Sequence, residues 1–232
     1  MLNKNTNIVL SPHFDDAVFS SFSVLDSGDN TKLITIFTGF PDKNRFSLWD
    51  FLCTGKRPKE TMKLRNIEND EVIKKLGLDS INLDFVDNQY KVDVETDVLK
   101  NQLTKLSNKT TSTIYAPLAM SESYIHPDHR LVRNICIDFL RDGYNVIFYA
   151  DLPYMNTSKQ SFNNELAQLK SLSGTDFKFD IKFLQKKQSI EKFKTMRIYK
   201  SQFFMTNLTS LGRLSNPKYF TNEVYFSPEE NK

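Results

Sequence analysis

Short apolar runs alternate with amphipathic stretches along most of the chain. Residues 7–11 (NIVLS) read as a buried strand, and residues 15–25 then place Val18, Phe19, Phe22 and Leu25 at helical spacing. Residues 32–38 (KLITIFT) predict a second strand. Residues 40–57, with Gly, Pro and scattered charge, predict a long loop of the kind that forms lids and binding walls. A helix is expected from Lys59 to Leu76, stopped by Gly77 at its C-terminal end. Next come a strand over 80–86, a helix over 94–106 with Val94, Leu99, Leu103 and Leu106 on one face, and a strand over 112–118. A helix over 128–142 and a strand over 145–151 complete the alternation. Beyond it the pattern predicts a helix at 162–172, a strand at 177–183 (FKFDIKF) and a helix at 189–203. The Asn- and Pro-rich tail after Gly212 yields no element. Strands alternating with helices in this way predict an α/β fold, a mostly parallel sheet with helices on both faces. With no repeat, low-complexity tract or composition break, residues 1–232 read as a single domain.

Composition narrows the function classes. The chain has 7 glycines, at positions 28, 39, 55, 77, 143, 174 and 212, and this spacing excludes both G-x-G-x-x-G and the phosphate-cradling P-loop. The 31 basic and 28 acidic residues give a net charge of +3 that is dispersed along the chain, so no nucleic-acid partner is expected. Apolar runs such as Val146–Ala150 fall far short of a membrane span. No signal-peptide core is read at the start, and Cys53 and Cys136 form no C-x-x-C, which suits reduced thiols and a cytoplasmic location.

The 3 histidines carry the functional signal. His13 lies in Ser11-Pro12-His13-Phe14-Asp15-Asp16, where the first strand gives way to a helix. His126 and His129 lie in His126-Pro127-Asp128-His129, between the strand near Leu118 and the next helix. In open α/β sheets, sites form in the crevice outside the carboxyl ends of the strands, so both clusters occupy equivalent places. Two imidazoles and a carboxylate, with one position left for water, are what a catalytic zinc site uses. His13 and Asp16, three apart at a turn, can face one point, and a histidine of the second cluster would complete the set. The same set with open positions also suits iron(II). Asp15 and Asp128 would then be free for proton transfer or for orienting an imidazole. An aspartate at a helix start is also an ordinary N-cap, a role equally open to Asp15 and Asp16.

At these residues the chain resembles the PIG-L/LmbE-like zinc-dependent N-deacetylases. That family's first motif is usually P-H-P-D-D-E and its second H-P-D-H. Here the second is complete, and the first reads Pro12-His13-Phe14-Asp15-Asp16-Ala17, with Phe14 for proline and Ala17 for glutamate. One branch of the family reads S-P-H-x-D-D-A, which matches Ala17. Looser similarities are the segment ITIFTGFP, Arg65 with Glu68 as an R-x-x-E, Asp87 after the third strand, residues 149–154 (YADLPY) and residues 199–202 (YKSQ), so the resemblance spans 7–203. It implies a Rossmann-like fold in which His13, Asp16 and His129 hold zinc. It further implies Asp15 as the general base toward zinc-bound water, His126 as the charged partner of the oxyanion, and Asp128 as the residue that orients His126. Arg65 and Asp87 would contact substrate. The implied substrate is an N-acetylated amino sugar or related small metabolite. Other readings are an acylated antibiotic or nucleoside intermediate, or a metal- or sugar-binding protein without catalysis. For the rest, Arg65 and Glu68 make an ordinary surface ion pair by spacing. Phe46, Trp49 and Phe51 fit either core or an aromatic wall of the cavity.

Overall fold

The computed structural model describes residues 5–28, 30–42, 45–120, 126–154 and 158–229. Its strands are β1 (Thr6–Ser11), β2 (Thr31–Thr35), β3 (Asp79–Asn82), β4 (Ser112–Pro117), β5 (Asn145–Tyr149), β6 (Phe177–Phe183) and β7 (Asn222–Pro228). They form one seven-stranded sheet in the order β3-β2-β1-β4-β5-β7-β6. The pairings from β3 through β5 are parallel, and β7 runs antiparallel to both β5 and β6.

Successive strand residues point to opposite faces of a sheet, and the core divides accordingly. Ile8, Leu10, Ile34, Ile114, Ala116, Val146, Phe148, Val224 and Phe226 feed one buried cluster. It is covered by α5 (Thr96–Leu106), α6 (Pro127–Arg141) and α7 (Lys159–Ser173) through Leu99, Val132, Ile135, Phe162 and Leu169. Val9, Leu33, Tyr149 and Tyr225 feed the other. There they meet α1 (Asp16–Ser20), α2 (Phe22–Leu25), α4 (Pro58–Leu76) and α8 (Lys186–Met196). Helices therefore cover both faces, as the alternation predicts.

The structure departs from the predicted elements in five places. The helix expected over 15–25 breaks at Ser21, because the backbone N–H of Ser23 donates to Glu223 (3.0 Å) and both serine hydroxyls meet the Tyr225 hydroxyl at 3.2 Å. The loop expected over 40–57 contains α3 (Leu48–Thr54), which Ser47 caps through the Asp50 N–H and Gly55 ends in the left-handed region. The third strand stops at Asn82, after which Gly39 passes so close that a Cβ there would sit 2.7 Å from the Asp84 carbonyl oxygen. The helix expected over 189–203 is two, α8 and α9 (Lys200–Thr209), because Tyr199 leaves helical geometry at ψ 58° and donates its buried hydroxyl to Asn69 (3.1 Å). The tail after Gly212 adds α10 (Pro217–Phe220) and the strand β7.

Candidate metal centre and its cavity

The order β3-β2-β1-β4-β5 reverses direction between β1 and β4, and the residues that follow those two strands meet at that switch point. His13, Asp15 and Asp16 come from the turn after β1, and His126, Asp128 and His129 from the start of α6. Asp87 follows β3, and Asp151 follows β5. A cavity of about 620 Å³ opens above them, lined among others by His13, Asp15, Asp16, Asp87, His126 and His129.

Two groups of side chains bring ligand atoms within 4.8 Å of one another: His13, Asp16 and His129, and His13, Asp87, His126 and Asp128. In the first, Asp16 Oδ2 lies 3.1 Å from His13 Nδ1 and 3.2 Å from His129 Nε2, and also accepts the His13 backbone N–H at 2.7 Å. His129 Nδ1 lies 2.6 Å from Asp151 Oδ1. In the second, Asp128 Oδ2 lies 3.1 Å from His13 Nε2 and accepts the Asn88 N–H at 3.1 Å. Asp87 reaches His13 Nε2 at 3.6 Å and His126 Nε2 at 3.5 Å.

Five carboxylates (Asp15, Asp16, Asp87, Asp128, Asp151) are buried around three imidazoles. Such an excess of buried negative charge calls for cations, and the imidazoles respond first. Burial opposes charge on His13, yet Asp87 and hydrogen bonds to Asp128 and Asp16 hold its pKa well above the ordinary value. His129 is likewise raised against burial, to about 10, by Asp16 and Asp151. Asp16 is held well below the carboxylate range against burial by His129 and His13. Asp15 differs: burial, then the Asp16 charge, pushes it up to about 7.

Burial and the neighbouring His13 lower the pKa of His126 to about 4. His126 caps α6, with Nδ1 accepting the Asp128 N–H at 3.4 Å, which leaves the proton on Nε2. Asp128, expected to orient His126, stands 3.5 Å from it and closer to His13. Asp15 occupies the cap position of α1 but makes no side-chain capping bond, so the ordinary N-cap role does not account for it. Ala17 is fully buried among apolar neighbours, where a glutamate would have to be buried too.

The residues around this centre follow less from the sequence. Arg65 and Glu68 do not pair. Arg65 is buried and donates to Asp50 at 2.8 Å, while Glu68 accepts from Ser201. Asp50, itself fully buried, also accepts the Tyr90 hydroxyl at 2.5 Å. Trp49 lines the cavity, whereas Phe46 and Phe51 are exposed and form neither core nor wall. Asp87 accepts both the backbone and side-chain N–H groups of Gln89 at 2.8 Å. Sequence reasoning passed over Asp50 and gave Asp151 and Gln202 no role, although they lie in the segments 149–154 and 199–202 that resemble the family. Asp151 carried a usable signal, since it ends a strand as the two histidine clusters do. The sequence also places a specificity-bearing loop over 154–161, of which 155–157 lie outside the described residues.

A family model described as GlcNAc-PI de-N-acetylase, PIG-L, matches residues 8–140, more than half of the chain. No curated protein matches. Among solved structures, a zinc-inhibited form of a teicoplanin deacetylase is 17% identical with a TM-score of 0.68, over 98% of this chain and 100% of that one. The A40926 pseudoaglycone deacetylase is 19% identical with a TM-score of 0.67, over 97% of this chain and 98% of that one. The N,N'-diacetylchitobiose deacetylase from Pyrococcus horikoshii is 15% identical with a TM-score of 0.63, over 97% of this chain and 84% of that one. At these identities the likeness speaks for the fold.

Proposed function

The chain belongs to the PIG-L family of de-N-acetylases, and from that premise we propose that it is a metal-dependent hydrolase removing the acetyl group from an N-acetylated amino sugar or related small metabolite. The observation that carries this reading is the convergence of His13 Nδ1 and His129 Nε2 on one oxygen of Asp16, at 3.1 and 3.2 Å, beside Asp15 in the cavity. Two imidazoles and a carboxylate amid excess negative charge fit zinc, and iron(II) as well. We assign His13, Asp16 and His129 as the ligands. Asp151 supports this choice over the second group, because a carboxylate on Nδ1 fixes His129 with Nε2 toward the site, the usual support of a metal-bound histidine.

When bound, such a cation supplies Lewis acidity, polarising the amide carbonyl and acidifying water. The chain supplies the rest. Asp15 takes the proton of the attacking water, and its raised pKa lets it hold that proton near neutrality. His126 offers its Nε2–H as a hydrogen bond to the oxygen on which negative charge develops, and as a neutral donor it needs no charge to do so. Asp128 holds His13 through its carboxylate and His126 through its backbone N–H. Arg65 and Asp87 line the cavity and are assigned to the substrate's polar groups.

The cavity volume suits a ligand of drug size. This favours an amino sugar carrying a further group, as in an acylated antibiotic, within the same chemistry. The single seven-stranded sheet supports reading residues 1–232 as one domain. The direct test is a free-amine assay of the metal-supplemented protein across N-acetylated sugars and acylated glycosides. Amine release that a chelator abolishes and added zinc or iron(II) restores is expected. Metal binding without amine release from any of them would favour a binding protein.

A further inference from the structure

Helix α4 meets two wall helices of the cavity through buried polar bonds. Arg65 holds α3 through Asp50 (2.8 Å). Glu68, one turn on, holds the start of α9: Ser201 donates its backbone N–H (2.9 Å) and its hydroxyl (2.5 Å) to the two Glu68 carboxylate oxygens. Two residues before this clamp, the buried Tyr199 hydroxyl donates to Asn69, also on α4, at 3.1 Å. The N-terminal turn of α9 is therefore pinned on both sides of Lys200. The next residue is Gln202, buried and lining the cavity, whose Nε2 donates to Asp15 Oδ1 at 3.0 Å. No described group bonds to its other amide atom, Oε1, although that atom is buried.

We propose that Gln202 is a positioning residue for catalysis: clamped through Ser201 by Glu68, its amide fixes one oxygen of Asp15 and leaves the other to take the proton of the attacking water. The inference rests on the assignment of Asp15 as base made above. Three features carry it. As the base awaiting a proton Asp15 is ionised and only accepts, so in that state the amide presents Nε2 to it, as observed. Asp15 makes no capping bond that would otherwise hold it. The two hydrogen bonds that Ser201 donates to Glu68 stiffen the backbone immediately before Gln202, where an unsupported glutamine would lose its register to rotamer freedom. Misplacing a catalytic group by about 1 Å can cost on the order of 10²-fold in rate, so the arrangement bears on turnover.

Gln202→Met keeps the length of the side chain and removes the donor. We expect kcat on an N-acetylated sugar that the wild type hydrolyses to fall about 10-fold to 10²-fold, with KM within about twofold and bound metal per chain unchanged. A raised KM with unchanged kcat would make Gln202 a substrate contact and overturn the proposal. In the Asp15→Asn background, Gln202→Met should cost nothing further, because both act through one carboxylate; full additivity would overturn it. If Asp15→Asn alone leaves turnover unchanged, the assignment of the base fails, and with it this inference. A readout without substrate comes from crystal structures of Gln202→Met and, should that variant not fold, of Glu68→Gln. The Asp15 carboxylate should leave its single orientation while His13, Asp16 and His129 stay in place. An unmoved Asp15 would overturn the proposal.

Discussion

Among the regions of the described residues that bury charged side chains, two do so in opposite ways. Beneath the break between α1 and α2, Lys192 and Glu223 are buried and 2.7 Å apart. The other Glu223 oxygen accepts the Ser23 N–H at 3.0 Å and the Tyr225 hydroxyl at 2.8 Å. Cation, anion and lone pairs are matched there, so nothing is left over for a ligand. At the strand ends, five buried carboxylates surround three imidazoles, and Asp16 Oδ2 alone collects two rings and a backbone N–H. The first is a closed account of charge; the second has an excess that a divalent cation would balance. Burial alone does not mark a functional site. The mismatch between buried anions and the cations around them does.

Substitutions can break this contrast. Asp16→Asn or His129→Ala should remove the metal and reduce turnover to background, as metal analysis and the amine assay would show; retention of both would mean that the ligands lie elsewhere. Lys192→Met, which strands Glu223 as a buried anion, should cost about 3–5 kcal/mol of stability, measured by denaturant unfolding, while the folded fraction keeps its activity. Pairing it with Glu223→Gln should recover much of that loss. Asp15→Asn should keep the metal and lower kcat by at least ~10², separating the base from the ligands within one motif. Asp151→Asn should have the smallest effect, weakening metal affinity about 10-fold to 100-fold by loosening His129, a change that competition with a chelator would measure.

The parts of this design that were legible in the sequence share a physical character. Parallel strands buried on both faces leave unbroken apolar runs, so β1, β2, β4 and β5 stood out, and with them the placement of His13 and His129 at strand ends. What stayed hidden depends on distant partners. Strand β7 is polar at its start and follows a Pro- and Asn-rich turn, so it reads as tail until it pairs with β5 and β6. The Ser21 break exists because Tyr225 and Glu223, some 200 residues away in sequence, replace helical bonds. Arg65 and Glu68 looked like a surface pair at i,i+3. Each had a better buried partner, Asp50 on α3 and Ser201 on α9, and helical spacing says nothing about either. The lowered pKa of His126 likewise comes from burial and from His13 beside it, a neighbour more than a hundred residues away in sequence.

The proposed centre holds one divalent cation among His13, Asp16 and His129. Its most direct test is elemental analysis of the purified full chain after metal supplementation and desalting, beside the Asp16→Asn variant. One zinc or iron per chain is expected in the wild type and none in the variant. Wild-type protein without stoichiometric metal, or a variant that binds it equally well, would contradict it.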